Sequence, residues 1–254
     1  MYKKVIETGG KMKDSRFLAL VAIFASLNVI CDSLVGIPQF TEGVWYSWIF
    51  VVEPLTGLIL GPYAGFLSTL TGVLVGHFVY FRGFQEFLFT LGAPIGAMVT
   101  GFLFRGKTKR VFVYFSILLG GYFLTPLAWQ LPIWGMWDVY LGYVVLVLFS
   151  ICLRKATSPS FSSSRRSIIR ISLTAFIGLE ADVLFRIFVF IPCQAYKIFW
   201  SDIDIAFLRL VWVAGAAITP LQIALSILAT SILAPPLRGV VADLLANHKV
   251  SDRG

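Results

Sequence analysis

Glu53 stands directly before Pro54 in the apolar run VWYSWIFVVEPLTGLIL. Proline has no amide hydrogen, so the carbonyl one turn earlier loses its helical partner and the helix kinks. A carboxyl group at such a kink either lines a polar cavity or sits neutralised in a structural bend. A later apolar run carries Glu180, Asp182 and Arg186. Asp182 and Arg186 are four apart and share one helix face. Arg209 lies near the same outer level in the run that follows. These charges can pair to hold two helices together, and they can equally hold the polar group of a ligand. Ionisable groups in lipid cost about 2.5–3.5 kcal/mol at mid-helix, which makes each one a functional candidate.

Weaker candidates gather toward the same side. Asn28, His77, Gln85, Glu86 and Gln130 fall near the outer ends of apolar runs, as do Trp45, Trp48, Trp129, Trp134, Trp137 and Trp200. The tryptophans fit an interfacial belt, and one or two could stack on a planar ligand. The candidate substrate-binding set is therefore Glu53, His77, Trp129, Gln130, Glu180, Asp182, Arg186 and Arg209. Together they place a pocket open to the outside.

Catalytic chemistry finds no foothold. Residues 101–108 read GFLFRGKT, which matches the phosphate-loop pattern letter for letter. That loop needs a strand before it and a helix after it. Here an apolar helix runs into a basic loop, so the match is expected to be chance. There is no H-E-x-x-H and no G-x-S-x-G. Cys31, Cys152 and Cys193 have no Cys-x-x-Cys neighbour, and the histidines are His77 and His248. That inventory assembles no zinc site. No enzyme activity, metal or cofactor is expected.

The elements that position these residues are membrane helices. Of 254 residues, 58% are hydrophobic and 13% are charged, about half the charge of a soluble domain. A spanning helix needs roughly 20 mostly apolar residues. Eight such runs are legible, over residues 17–36, 44–60, 63–81, 84–104, 111–129, 138–153, 168–191 and 205–233. Gly61-Pro62 separates the second from the third, and Pro235-Pro236 is expected to stop the last. The first run is read as a retained helix rather than a signal peptide, because no cleavage site follows it. The chain is thus an all-α polytopic bundle, a single integral membrane domain over 1–254. A serine-rich polar linker at 154–167 joins helices six and seven.

Charge orients the bundle. Basic residues cluster before the first helix, at 105–110, at 154–170 and after the last helix, leaving four of the 21 elsewhere: Arg82, Arg186, Lys197 and Arg209. Cytoplasmic loops carry such an excess. Both termini are therefore expected in the cytoplasm, in a multi-pass protein of the cell membrane. The net charge of +8 is accounted for in this way, and nucleic acid is not an expected partner.

Small residues complete the pattern. Ala22 and Ser26 form a small-xxx-small pair on the first helix, which permits close approach of another helix. The third helix begins GPYAGFLSTLTG, with Gly61, Gly65 and Gly72. Gly92, Gly96 and Gly101 follow on the fourth. This combination resembles the substrate-binding S components of energy-coupling factor (ECF) transporters, best over residues 16–106. The resemblance implies a subunit that captures a vitamin-like micronutrient from outside and has no ATPase of its own. It would dock through Ala22, Ser26, Gly61 and Gly65 onto a membrane coupling subunit driven by a pair of ATPases. Such proteins have about six helices, so helices five and six here would be an inserted hairpin. The rival readings are a self-sufficient secondary transporter and a scaffold for envelope-assembly machinery.

Overall fold

The computed structural model describes residues 15–34, 47–81, 83–153, 165–199 and 204–246. Ten α-helices and two short 3-10 turns are formed among them. The helices are α1 (Ser15–Ser33), α2 (Ile49–Leu60), α3 (Pro62–Val79), α4 (Phe84–Thr90) and α5 (Gly92–Phe104). They continue as α6 (Thr108–Leu124), α7 (Trp137–Leu153), α8 (Arg165–Phe190), α9 (Tyr196–Phe199) and α10 (Ile205–Ala246). The 3-10 turns, Pro126–Gln130 and Ile133–Met136, join α6 to α7. Residues 154–164 of the linker expected at 154–167, the N-terminal lysines, Trp45, Arg82, Trp200, Asp202 and His248 lie outside the described residues, and residues 165–167 belong to α8 instead of the linker.

Among the described residues, five helical stretches are long and apolar enough to cross a membrane: Ser15–Ser33, Pro62–Val79, Glu86–Phe104, Ile133–Cys152 and Ile205–Asp243. Phe78 and Leu124 are each 83% exposed. Large apolar side chains so uncovered suit lipid better than water. The arrangement is compatible with a helical membrane bundle.

Proline and glycine set the helix boundaries. Gly61, at φ 87°, is the single residue between α2 and α3, and Pro62 occupies the first position of α3. Proline suits that position because its missing amide would be unpaired there anyway. The expected fourth helix is broken at Leu91 into α4 and α5. Pro94 explains the break, since its ring clashes with the carbonyl four residues back. The fifth stops at Leu124, before the extended Thr125 that precedes Pro126.

One expectation fails. Pro235-Pro236 does not stop the last helix, which continues to Ala246. Packing outweighs the local penalty here. Ala234 is fully buried in a cluster with Leu58, Leu60 and Phe104, Leu237 joins it, and the Arg238 guanidinium lies 4.2 Å from the Phe104 ring centre.

The GFLFRGKT segment has no strand before it. It closes α5 and turns at Gly106, whose φ is 76°. The Lys107 amide reaches back to the Phe102 carbonyl at 2.9 Å, a Schellman closure of the helix.

The centre of the bundle is α2, α5 and α8. Ten residues of α2 and eleven of α5 are buried, so both helices are enclosed nearly all round. α5 packs on α8, α2 and α3, while α10 covers α2 and α8. α1 lies along α3. Ser68 of α3 donates to the Val21 carbonyl, and Gly72 and Gly76 receive Asn28 and Asp32.

Basic side chains gather at one end and cap helices there. Arg105 donates to the Leu60 carbonyl at 3.3 Å, and Arg170 donates to the Phe104 carbonyl at 2.7 Å. Those carbonyls end α2 and α5 and lack helical partners. Guanidinium groups there also answer the negative end of each helix dipole.

Candidate functional site

The site is built on the antiparallel seam between α5 and α8. Gly92 lies against Asp182, Gly96 against Gly178, and Thr100 donates to the Thr174 carbonyl at 3.4 Å. The contacts recur once per turn on both helices, as close antiparallel packing requires. Small residues permit it. A Cβ on Gly96 would overlap both the Glu53 carboxyl and the Gly178 carbonyl, and one on Gly92 would overlap the Asp182 carboxyl. Glycine therefore makes room for carboxyl groups as well as for backbone.

Asp182 and Arg186 pair along α8 as the spacing predicts. Arg186 Nε donates to Asp182 Oδ1 at 2.7 Å, and Arg186 Nη2 donates to Oδ2 at 2.5 Å. This is the bidentate fork that suits a carboxylate. The Asp182 side chain is 4% exposed and that of Arg186 is 28% exposed, so the pair has a sealed acidic end and a more open basic one.

Glu53 approaches the pair from α2. It is fully buried, and neither carboxyl oxygen has a hydrogen-bond partner. Its electrostatic neighbours are Asp182 and Arg186. Pro54 frees the Phe50 carbonyl, as the sequence implied, and Ser226 of α10 donates to that carbonyl at 2.5 Å. Pro220 in α10 likewise frees the Ala216 carbonyl, and the Trp137 indole donates to it at 3.1 Å. Both freed carbonyls are thus satisfied by a side chain from another helix.

Glu86 extends the site toward Arg186, whose electrostatic surroundings include it. Glu86 is 4% exposed, and Thr90 donates to its Oε1 at 3.1 Å. Asp182 is paired with the guanidinium, and Glu53 of α2 and Glu86 of α4 lie in its electrostatic surroundings.

Glu180 does not join them. It lies against Gly142 of α7 and has Asp138, one turn back on α7, as its acidic neighbour. Glu180 and Asp182 are two apart, which turns them to different faces of α8.

The remaining candidates are dispersed. His77 contacts the Gly83 carbonyl at 3.1 Å through Nε2 and packs between Phe81 and Phe87. Trp129 is 78% exposed and donates to the Phe123 carbonyl. Gln130 is exposed, and its carbonyl accepts Arg209 Nε at 3.0 Å. Arg209 is exposed beside the α6–α7 connection, so the expected network with Asp182 and Arg186 is not formed. Its helix was legible in the sequence, but its neighbouring helices were not.

The small residues divide as well. Ala22 and Ser26 are exposed, and Ser26 donates to the Ala22 carbonyl at 3.0 Å. Gly61 and Gly65 are buried instead. Gly61 lies under the Arg105 guanidinium and Gly65 against Gly57 of α2. Both serve packing within the chain.

Sequence reasoning passed over Gly92, Gly96 and Ser226 as parts of the site. The four-residue spacing of the glycines was a signal for close packing, but nothing local named α8 as the partner. Among the described residues, no group of three or more His, Cys, Asp or Glu is placed to hold a metal ion. No protein-family model, curated protein or solved structure matches this chain.

Proposed function

We propose that this protein is the substrate-capture subunit of an ATP-driven micronutrient importer in the cell membrane. It binds a small, vitamin-like ligand from the outer side and couples through α1 to a partner membrane subunit worked by two ATPases. The bundle spans the membrane eight times with both termini in the cytoplasm, α6 and α7 being a hairpin added to a six-helix core. The basic end formed by Arg105, Arg170 and Arg238 is the cytoplasmic one.

The observation that carries this reading is the two-faced character of α1. Asn28 and Asp32 turn inward onto Gly72 and Gly76, while Ala22 and Ser26 are left uncovered. The Ser26 hydroxyl is satisfied within its own helix, so that face can meet either lipid or another helix without an unpaired donor. A slim, self-satisfied face suits docking by close helix contact. The ligand site is the Glu53–Asp182–Arg186 group, far from ordinary surface chemistry in its burial.

The test is purification from the native membrane in mild detergent, with the bound proteins identified by mass spectrometry. A membrane coupling subunit and two ATPases in stoichiometric amounts are expected. Recovery of the chain alone, under conditions that preserve a known complex of that kind, would sink the reading.

A second reading, an ion-gradient-driven transporter, draws on one feature. Glu53 and Glu180 are fully buried without hydrogen-bond partners, and such carboxyls often carry protons in transporters. Uptake by liposomes containing this chain alone, driven by a proton gradient, would favour it.

A further inference from the structure

The basic end of the bundle carries more donors than helix capping uses. We infer that Arg105, Arg170 and Arg238 form a site for the phosphate head group of an anionic phospholipid in the inner leaflet. The inference rests on the membrane reading and on this end being the cytoplasmic one, and it goes beyond the importer.

Three helices deliver these guanidiniums to one aromatic ring. Phe104 closes α5, and Arg105 follows it. Arg170 of α8 donates to the Phe104 carbonyl at 2.7 Å, and its guanidinium carbon lies 5.3 Å from the ring centre. The guanidinium carbon of Arg238, from α10, lies 4.2 Å from the same ring centre. The Ser172 and Ser231 hydroxyls meet at 2.8 Å, so the helices that carry Arg170 and Arg238 are joined near the cluster. All three arginines are half-buried. A guanidinium has five N–H donors. The caps made by Arg105 and Arg170 each place a donor on a carbonyl, which is polar and carries no charge.

The elements that meet here supply no carboxylate. Residues 15–31, 54–65, 99–110, 165–179 and 231–242 contain no Asp or Glu, and Asp243, five residues beyond Arg238, is exposed. An anion brought from elsewhere would relieve three like charges held close together. A phosphate group suits them, because its oxygens accept guanidinium donors from several directions. The neighbouring side chains select the kind of phosphate. Ile169 precedes Arg170, and Ile232 and Leu233 lie less than two turns before Arg238; all three are exposed. A phospholipid fits both features, with its head group on the guanidiniums and its chains along the apolar residues. A soluble anion would leave those residues uncovered. Basic pockets between helices at the cytoplasmic side suit anionic head groups.

The experiment uses the purified full chain, stripped of lipid in an uncharged detergent at physiological salt. Dioleoylphosphatidylglycerol is compared with dioleoylphosphatidylcholine by rise in melting temperature. The phosphatidylglycerol should give a saturable rise at concentrations where the phosphatidylcholine gives little. Arg170→Gln and Arg238→Gln should each weaken its binding by about fivefold or more. Lys107→Gln combined with Lys109→Gln, exposed at the same end, should change it by less than about twofold, because salt screens exposed charges. Lipid retained in native mass spectrometry gives the same comparison without relying on thermal stability. Equal responses to the two lipids would overturn the inference. So would a preference that falls as far in the lysine variant as in the arginine variants, since a diffuse basic field would then explain it. Inorganic phosphate giving the same rise at equal ionic strength would replace the lipid with a soluble anion. Polyglutamate giving a rise where phosphatidylglycerol gives none would replace it with an acidic protein partner. The lipid results decide this site whether or not ATPases co-purify with the chain, so its failure and that of the importer are separate.

Discussion

Ser226 of α10 donates its hydroxyl, at 2.5 Å, to the Phe50 carbonyl that Pro54 leaves without a helical amide. The proline and the serine are far apart in sequence, yet each gives the other its structural meaning. Ser226→Ala should cost about 1–3 kcal/mol, the penalty for a buried acceptor left unsatisfied. In a Pro54→Ala background the amide at position 54 returns, so the same serine change should cost much less. A double-mutant cycle on thermal unfolding in detergent reads the difference. Additive costs would mean that the serine does not act through the freed carbonyl.

The α5–α8 seam makes an opposite demand on two glycines. Gly96→Ala would drive a methyl group onto the Glu53 carboxyl and the Gly178 carbonyl, and should cost about 1–3 kcal/mol by overpacking. Gly120→Ala on α6 meets nothing within 4 Å. It should stabilise the protein by up to about 1 kcal/mol through helix propensity. Melting temperatures of the two variants should therefore move in opposite directions.

The Asp182–Arg186 pair was legible before any fold, because a spacing of four on one helix is local information. The approach of Glu53 was not. It depends on α2, α5 and α8 meeting, and helices that are apolar on every face carry no stripe that names their neighbours. Arg209 shows the same limit in reverse. Its level along the bundle could be read from chain order, while its place beside Gln130, away from Asp182, could not. Pro235-Pro236 misled for a different reason. A proline rule weighs one turn of hydrogen bonds, whereas Ala234, Leu237 and Arg238 are held by contacts with distant helices.

Removing one member of the ion pair should be worse than removing both. Arg186→Met leaves Asp182 buried without its cation, a change that costs about 3–5 kcal/mol when pairs are fully sealed. The 28% exposure of the Arg186 side chain places the expected cost near the lower end. Adding Asp182→Asn to Arg186→Met should recover much of it, since no lone charge then remains. Denaturation in detergent measures stability, and uptake by cells carrying the same variants reports ligand binding. If the double variant is stable but fails to bind, the pair serves the ligand as well as the fold. If it is stable and binds normally, the pair is structural.

The exposed face of α1, proposed as the docking face, allows docking to be tested apart from folding. Ala22→Trp and Ser26→Leu place bulk at positions that are exposed among the described residues, so melting temperature and ligand binding should stay near those of the parent protein. Uptake by cells or by liposomes containing the complete transporter should fall by about tenfold or more, because close helix packing tolerates no large residue. Gly65→Leu is the counterpart inside the fold. Its side chain would run into Gly57 and the Thr56 carbonyl of α2, so it should lower stability before it affects coupling. Loss of uptake in the α1 variants, with stability and binding kept, is the result that assigns this face to a partner. Parallel loss of all three would return Ala22 and Ser26 to the fold of this chain alone.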